Sequence, residues 1–391
     1  MSANLRTSGS ESADRIALIA SSYAPAVGGV EETVRRVAVG LQRSGRAVEV
    51  WSVDRDGRSR TEVIDGIAVR YLPTPLPAGS VGGIARFLRA APRAWREWTR
   101  AYRAFRPTIA HVHCFGPNGL YGLALSGRRG IPLVVTSHGE TMADDGGVFT
   151  RSALLRTGLR RALRRARAVT APSRVVLADL ATYGLRGGDV IPNGVDLSVT
   201  VDPAVPGEPT LFAVGRLGRM KGFDLLIEAF AVAELDPAVR LVIGGDGAER
   251  ADLERRIAAH GLGGRVELRG WMSPADVARA MAGALAVVVP SRMEAFGLVA
   301  LEAWRSGAPL VMTSRGGAGE FVHDGVDGVL VDPEDRGALA NALERVVADA
   351  ELRRALAAAG RVQVREFGWD RAVERYGALY DGLRPRPKEM R

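Results

Sequence analysis

Apolar residues in this chain fall into short runs separated by longer amphipathic stretches. Arg15-Ile-Ala-Leu-Ile-Ala-Ser opens with a strand-sized run and is followed by a Pro/Gly loop, Ala24-Pro-Ala-Val-Gly-Gly. Val30, Val34, Val37, Ala38 and Leu41 then recur at helical spacing, Glu31 and Glu32 suit the positive end of the helix dipole, and Gly45 can end the helix. Strand, glycine loop and helix make a βα unit. Further strand-sized runs stand at Val48–Val53, Ile67–Leu72, Ile109–Val112, Leu133–Ser137, Ala168–Ala171 and Val190–Pro192, several separated by helix-length segments. That alternation predicts a parallel sheet.

The stretch Val201-Asp-Pro-Ala-Val-Pro-Gly-Glu-Pro is too rich in proline to extend a strand or a helix. Beyond it the same pattern resumes, with runs at Leu211–Gly215, Leu241–Gly245, Val266–Gly270, Ala286–Pro290, Leu310–Thr313 and Val329–Val331. A chain of 391 residues also exceeds the size at which one core stops growing, roughly 250–300 residues. The expected class is α/β, with two Rossmann-like doubly wound parallel-sheet domains. The expected divisions are a polar, disordered lead over 1–14, a first domain over 15–200, a linker over 201–209, a second domain over 210–370, and a C-terminal helix and tail over 371–391. Ligands of such sheets bind beyond the carboxyl ends of the strands, which is where chemistry is to be sought.

Composition, with 47% hydrophobic and 25% charged residues, is that of an ordinary globular protein. No apolar run reaches the ~18–20 residues that span a bilayer, and the polar start lacks the apolar core of a signal peptide. One cysteine, Cys114, excludes an internal disulfide framework and a multi-cysteine metal site, and suits a reducing cytoplasm. Residues 1–200 hold 28 Arg, no Lys and 16 acids, a net charge of +12, against −3 for the remainder. Such a basic half attracts anionic partners.

Two segments concentrate that charge. Arg151, Arg156, Arg160, Arg161, Arg164, Arg165 and Arg167 interleave with Leu154, Leu155, Leu159 and Leu163, and a second basic, aromatic segment begins at Arg86-Phe-Leu-Arg. They read as a weak peripheral contact with anionic membrane on its cytoplasmic face, or as domain helices with a core face and a solvated face. No nucleic-acid-binding module accompanies them, so no nucleic-acid partner is expected.

Candidate chemistry sits after the strand runs. Glu294-Ala-Phe-Gly-Leu-Val-Ala-Leu-Glu302 places one carboxylate before a helix and one inside it. The backbone near Phe296, Gly297 and Leu298 would carry helix amides without intrahelical acceptors, suited to hydroxyls or phosphate. A capping Glu294 and a solvated Glu302 are the plain alternative. The run ending at Gly215 leads into Arg216-Leu-Gly-Arg-Met-Lys221-Gly222, two cations able to stabilise a departing diphosphate. Lys221 and Lys388 are the only lysines in the chain. In the first half, His138-Gly139 ends a strand, and Gly28 and Gly29 would let backbone approach a diphosphate; either feature alone is as readily structural.

With these residues in order, the chain resembles the retaining glycosyltransferases of family 4, from about Arg15 to Tyr380. The resemblance rests on Glu294 and Glu302 in a Glu-x7-Glu pattern, Arg216 and Lys221, His138-Gly139, Asn193-Gly-Val-Asp196, and the Pro25…Gly28-Gly29 opening. It implies the GT-B fold, two domains facing across a cleft, with the nucleotide-sugar donor held mainly by the second. In that reading Arg216 and Lys221 meet the diphosphate, Glu294 and the backbone at Phe296, Gly297 and Leu298 meet the sugar, Glu302 meets the ribose, and His138, Gly28 and Gly29 complete the site. It also implies retention of anomeric configuration by same-face attack, with no metal and no cofactor, and a last helix that crosses back to the first domain.

The resemblance places the base near Gly270-Trp271-Met272. A guanine would want a carboxylate there, and the nearest, Asp276, is several residues on, so a UDP-sugar is favoured over a GDP-sugar. The hydroxyl acceptor, a lipid-linked sugar, a polysaccharide or a small natural product, would meet the loops at His113–Gly119 and Met142–Phe149. Competing motifs are weaker. Asp54-Arg-Asp56 has the form of a metal-binding Asp-x-Asp but lies among arginines in what reads as a solvated loop, His111 and His113 lack a third ligand nearby, and Gly244-Gly-Asp-Gly247 lacks the full dinucleotide spacing. A non-catalytic nucleotide-sugar-binding or regulatory protein on the same fold is the alternative function.

Overall fold

The computed structural model describes residues 14–26, 28–57, 59–77, 80–142, 147–201 and 208–383. Most of the expected lead (1–13), most of the linker (202–207), part of the Met142–Phe149 loop (143–146) and the end of the tail (384–391) lie outside the described residues.

In chain order the first half comprises β1 (Arg15–Ala20), α1 (Gly29–Arg43), β2 (Ala47–Val53), β3 (Arg60–Ile64), β4 (Ile67–Leu72), α2 (Val81–Phe105), β5 (Ile109–His113), α3 (Pro117–Arg129), β6 (Leu133–Thr136), α4 (Val148–Arg151), α5 (Ala153–Arg165), β7 (Ala168–Ala171), α6 (Arg174–Ala181) and β8 (Asp189–Val190). The second half continues with β9 (Thr210–Val214), α7 (Phe223–Val232), β10 (Arg240–Gly244), α8 (Arg250–Ala259), β11 (Val266–Gly270), α9 (Pro274–Gly283), β12 (Ala286–Val289), α10 (Leu298–Ser306), β13 (Leu310–Thr313), β14 (Val329–Val331), α11 (Arg336–Ala348), α12 (Ala350–Gln363) and α13 (Trp369–Asp381).

Contacts divide the chain into two compact units. One takes the described residues of Met1–Thr136, Leu154–Thr170 and Val373–Arg391; the other takes those of Ser137–Ala153 and Ala171–Ala372.

The sheet of the first unit runs β3-β4-β2-β1-β5-β6-β7. All its pairings are parallel except β3 with β4. Every residue of β1 from Ile16 to Ala20 is buried, as expected of a central parallel strand covered by helices on both faces. Strand β3 is absent from the apolar runs read along the sequence, because its middle residues are exposed and leave no hydrophobic signature. Arg60, expected in a solvated loop, is instead the first residue of that strand, and its guanidinium lies 3.9 Å from the Tyr71 ring centroid.

The chain's last segment completes this unit's interior. His111 lies 2.6 Å through Nδ1 from the Tyr380 hydroxyl and 2.7 Å through Nε2 from Thr136 Oγ1. Arg46 Nη2 donates to the Gly377 carbonyl at 3.2 Å and to Asp381 at 2.9 Å.

The second unit carries a six-stranded, wholly parallel sheet in the order β11-β10-β9-β12-β13-β14. Numbered from β9 this is 3-2-1-4-5-6, the order of a doubly wound dinucleotide-type sheet, with its direction of growth reversing between β9 and β12. Alternate side chains feed two cores. Leu211 and Ala213 face Leu226, Ile227 and Leu343 on one side, and Phe212 faces Met281, Trp304 and Met312 on the other.

Candidate active site

Strand order reverses between β9 and β12, the place where open α/β sheets bind their ligands, and the loops that leave these two strands carry Arg216, Lys221, Glu294, Phe296 and Gly297. From β9 the chain passes Gly215, Arg216 and a single 3₁₀ turn, Arg219–Lys221, before Gly222 starts α7. Gly222 has φ +68°, and a Cβ there would overlap the Pro290 carbonyl oxygen at the end of β12. The two loops touch because this residue has no side chain.

That approach brings Lys221 to Glu294. Lys221 Nζ donates to Glu294 Oε2 at 2.8 Å, and the Ser291 hydroxyl donates to the same oxygen at 3.0 Å. Glu294 is mostly buried, at 13% side-chain exposure, while Lys221 keeps 37%. The Glu294 backbone is pinned too: its N–H donates to the Arg315 carbonyl at 3.2 Å and its carbonyl accepts from Gly317 N–H at 2.9 Å. Arg216 is exposed, and its guanidinium has no hydrogen bond or ion pair among the described residues. One cation is therefore held by a carboxylate and the other is left open toward solvent at the same end of the sheet.

Helix α10 begins just beyond Glu294, with Gly297 as its N-cap at φ +105°. Among the amides that follow, that of Ala300 donates to the Gly297 carbonyl at 3.0 Å, while those of Leu298 and Val299 have no intrahelical acceptor. Phe296 turns its ring into the core, 4.7 Å from Phe321 in a stacked pair, so only its backbone is available at the site. Glu302 lies half-buried within α10.

His138 and Gly139 belong to the same unit as this cluster. Gly139 has φ +88°, and a Cβ there would collide with the Ala295 methyl group. The Ser173 hydroxyl donates to the Ala295 carbonyl at 2.7 Å, so the residue between Glu294 and Phe296 is braced from two sides. Glu140 folds back to accept the His138 N–H at 2.7 Å and the Ser137 hydroxyl at 2.9 Å. The His138 ring is enclosed by protein on most sides, and that desolvation pushes its imidazole down to about 4. It is neutral near pH 7.

Family models cover the chain almost end to end. One described as Glycosyltransferase Family 4 matches residues 27–199, and one described as Glycosyl transferases group 1 matches residues 201–363. The D-inositol 3-phosphate glycosyltransferase of Arthrobacter sp. (strain FB24) is 30% identical over 90% of this chain and 91% of its own. The chain belongs to the family 4 glycosyltransferases.

The fold of this glycosyltransferase is GT-B. The sucrose-phosphate synthase of Thermosynechococcus elongatus superposes with a TM-score of 0.78 at 26% identity, covering 95% of this chain and 99% of that one. Anabaena HepE, in complex with UDP and glucose, superposes at 0.75 with 21% identity over 95% and 100% of the two chains.

Other expected residues of the glycosyltransferase lie on other segments of the chain. Gly28 and Gly29 open α1 in the first unit, Gly28 with an extended φ of −178°. Asn193-Gly-Val-Asp196 supports the second unit: the Val195 N–H donates to the Phe367 carbonyl at 2.7 Å, and a Cβ on Gly194 would lie 2.7 Å from the Trp369 nitrogen. Trp271, beyond the end of β11, is 71% exposed. In the Asp54-Arg-Asp56 loop, Asp54 accepts the Asp56 N–H at 3.1 Å and Asp56 pairs with Arg60. Among the described residues no group of three or more His, Cys, Asp or Glu side chains could hold a metal ion.

Sequence reasoning missed Ser291, Asp224 and Arg292. Arg292 makes a two-pronged ion pair with Asp224, Nη1 to Oδ1 and Nη2 to Oδ2, both at 2.7 Å. Nothing in a spacing of 68 residues signals that pairing.

Proposed function

We propose that this glycosyltransferase moves a hexose-type sugar from a UDP-sugar to a hydroxyl acceptor with retention of configuration and without a metal ion. The observation that carries the proposal is the Lys221–Glu294 pair at 2.8 Å above the β9/β12 reversal, with the unpartnered guanidinium of Arg216 on the same loop. In the proposed reaction the bond from the sugar's anomeric carbon to diphosphate oxygen breaks, and negative charge accumulates on that oxygen. Lys221 and Arg216 stabilise it as point charge and planar fork. Glu294, held on one oxygen, takes a sugar hydroxyl on the other, and the α10 amides near Phe296, Gly297 and Leu298 take further oxygens. Glu302 binds the ribose.

The acceptor oxygen attacks the same face from which the diphosphate departs, and its proton passes to the leaving phosphate oxygen. His138, neutral at pH 7, serves the donor as a hydrogen-bonding ring rather than as a charge. Gly28 and Gly29 offer backbone to the diphosphate. A UDP donor is favoured because Asp276, the first carboxylate after the Gly270–Met272 segment, already accepts from the Ser273 hydroxyl at 2.5 Å and pairs with Arg279. HepE, on the same fold, is seen with UDP and glucose.

The name of the Arthrobacter relative makes D-inositol 3-phosphate the first small acceptor to try. Incubation with UDP- and GDP-sugars, that acceptor and EDTA, followed by NMR of the product's anomeric proton, tests the whole reading. Transfer only from a GDP-sugar, or inversion at the anomeric carbon, overturns it.

A cytoplasmic site of action, with weak contact to anionic membrane, is also proposed. No helix among the described residues is long and apolar enough to cross a membrane. The start of α2 does expose Ile84 and Leu88, one turn apart, at 47% and 64%, beside Arg86 and Arg89.

A further inference from the structure

We propose that Arg292 and Asp224 are a positioning pair that holds Lys221 opposite Glu294, an inference that rests on the donor-site reading above. Arg292 grips the loop after β9 in three ways. Its fork takes both oxygens of Asp224 in the first turn of α7, Nη1 also donates to the Arg219 carbonyl at 2.8 Å, and its backbone N–H donates to the Met220 carbonyl at 2.9 Å. Arg219, Met220 and Asp224 bracket Lys221 on both sides in sequence, and Glu294 lies two residues beyond Arg292. The turn bearing the ammonium is thus clamped before and after it to the loop bearing the carboxylate.

Both charges are largely withdrawn from water, with side-chain exposures of 14% for Arg292 and 13% for Asp224. Holding two loops together does not require this. Apolar contacts of equal volume do so at least as well, because a buried ion pair must first offset its desolvation. What the planar fork adds is direction, since two parallel N–H···O bonds fix angle as well as distance. Burial pushes the Asp224 carboxyl up, but the hydrogen bonds and charge of Arg292, with the Leu225 N–H and the Arg256 charge, together outweigh it and leave the carboxyl below the usual range.

The network then returns to Glu294. Arg292 Nε lies 3.9 Å from Glu334, Glu334 pairs with Arg315 at 2.9 Å, and the Arg315 carbonyl accepts the Glu294 N–H. Loops after four neighbouring strands, β9, β12, β13 and β14, are thus linked through Arg292, Glu334 and Arg315.

Two lysines in the whole chain make a direct test practicable. Protein labelled with ¹³C-lysine shows Lys221 and Lys388 by NMR, and Lys388→Arg assigns them. A held lysine gives two resolved signals for its ε-methylene protons, whereas a mobile one gives a single averaged signal. Lys221 should be resolved in the parent protein and averaged in both Asp224→Asn and Arg292→Lys. It should be resolved again when Asp224→Arg and Arg292→Asp are combined. The two single variants should lose about tenfold in kcat with donor KM within about twofold, the pattern of a displaced catalytic group.

A resolved Lys221 signal in both single variants overturns the inference. If one single variant does not fold, the other decides. Averaging of Lys221 without any fall in kcat leaves the positioning pair standing and removes instead the leaving-group role proposed for Lys221.

Discussion

Lys221 sets its ammonium nitrogen 2.8 Å from a Glu294 carboxylate oxygen although 73 residues separate them in sequence. The pair neutralises one of two cations and leaves Arg216 open. Replacing Arg216 or Lys221 with alanine should therefore lower kcat by about 10²–10³, the range seen when a donor to developing charge is removed. Glu302→Ala, which leaves both cations in place, should chiefly raise donor KM. Steady-state kinetics with saturating acceptor separate these, and the opposite pattern would exchange the proposed roles.

Gly222 and Gly261 offer a matched comparison. Both have positive φ, +68° and +66°, but a Cβ on Gly222 meets the Pro290 carbonyl whereas one on Gly261 meets nothing within 4 Å. Gly261→Ala should carry only the left-handed strain of roughly 1–2 kcal/mol. Gly222→Ala should melt clearly lower and also lose activity, because the loops bearing Lys221 and Glu294 must separate. Equal melting temperatures would contradict the close approach.

His138 predicts an acid sensitivity of definite sign. In the unfolded chain its imidazole takes up a proton near pH 6.5, and in the folded protein only at about 4. Between those values the unfolded state binds more protons, so stability rises with pH. The contribution is complete above about pH 6.5 and is lost as the pH falls toward 4. Melting temperatures of His138→Gln should fall less steeply than those of the parent over that window. Parallel curves would show that the ring titrates normally in the folded state.

In the proposed mechanism Arg216 and Lys221 meet the charge on the departing diphosphate, so transfer should proceed at an unchanged rate in excess EDTA. Loss of activity restored by a divalent cation would assign that task to a metal and return attention to Asp54 and Asp56.

Sedimentation with anionic vesicles at low salt should carry down part of the protein. Ile84→Glu combined with Leu88→Glu should abolish this while leaving transfer to a soluble acceptor intact. Equal pelleting by the double variant would move any membrane contact away from α2.

Much of the fold could be read from the sequence because parallel strands buried on both faces advertise themselves as apolar runs. Twelve of the thirteen runs named along the sequence overlap observed strands closely, and the remaining one, Val190–Pro192, meets β8 only at Val190. Strand β3 gave no such signal: it pairs antiparallel at the sheet edge, and Val63 is 73% exposed. Within the candidate site, Arg216, Lys221 and Glu294 stood out because charge followed directly on strand runs. Arg292 and Asp224 are equally charged and equally near, but their significance lies in a contact, and contact between distant residues leaves no periodicity. Phe296 shows a different limit, since the sequence marks its backbone as a candidate contact but gives no sign that its ring turns to the core.

The hydrogen bond between His111 and Tyr380 spans 269 residues and closes the interior of the first unit with almost the last described turn of the chain. Translation delivers these two groups far apart in time. Domains emerging from the ribosome usually fold in the order of their synthesis, but here the unit made first holds a buried imidazole whose partner is made last. A nascent chain that has not yet reached Tyr380 therefore lacks the hydroxyl that faces His111, whatever else of the first unit has already folded.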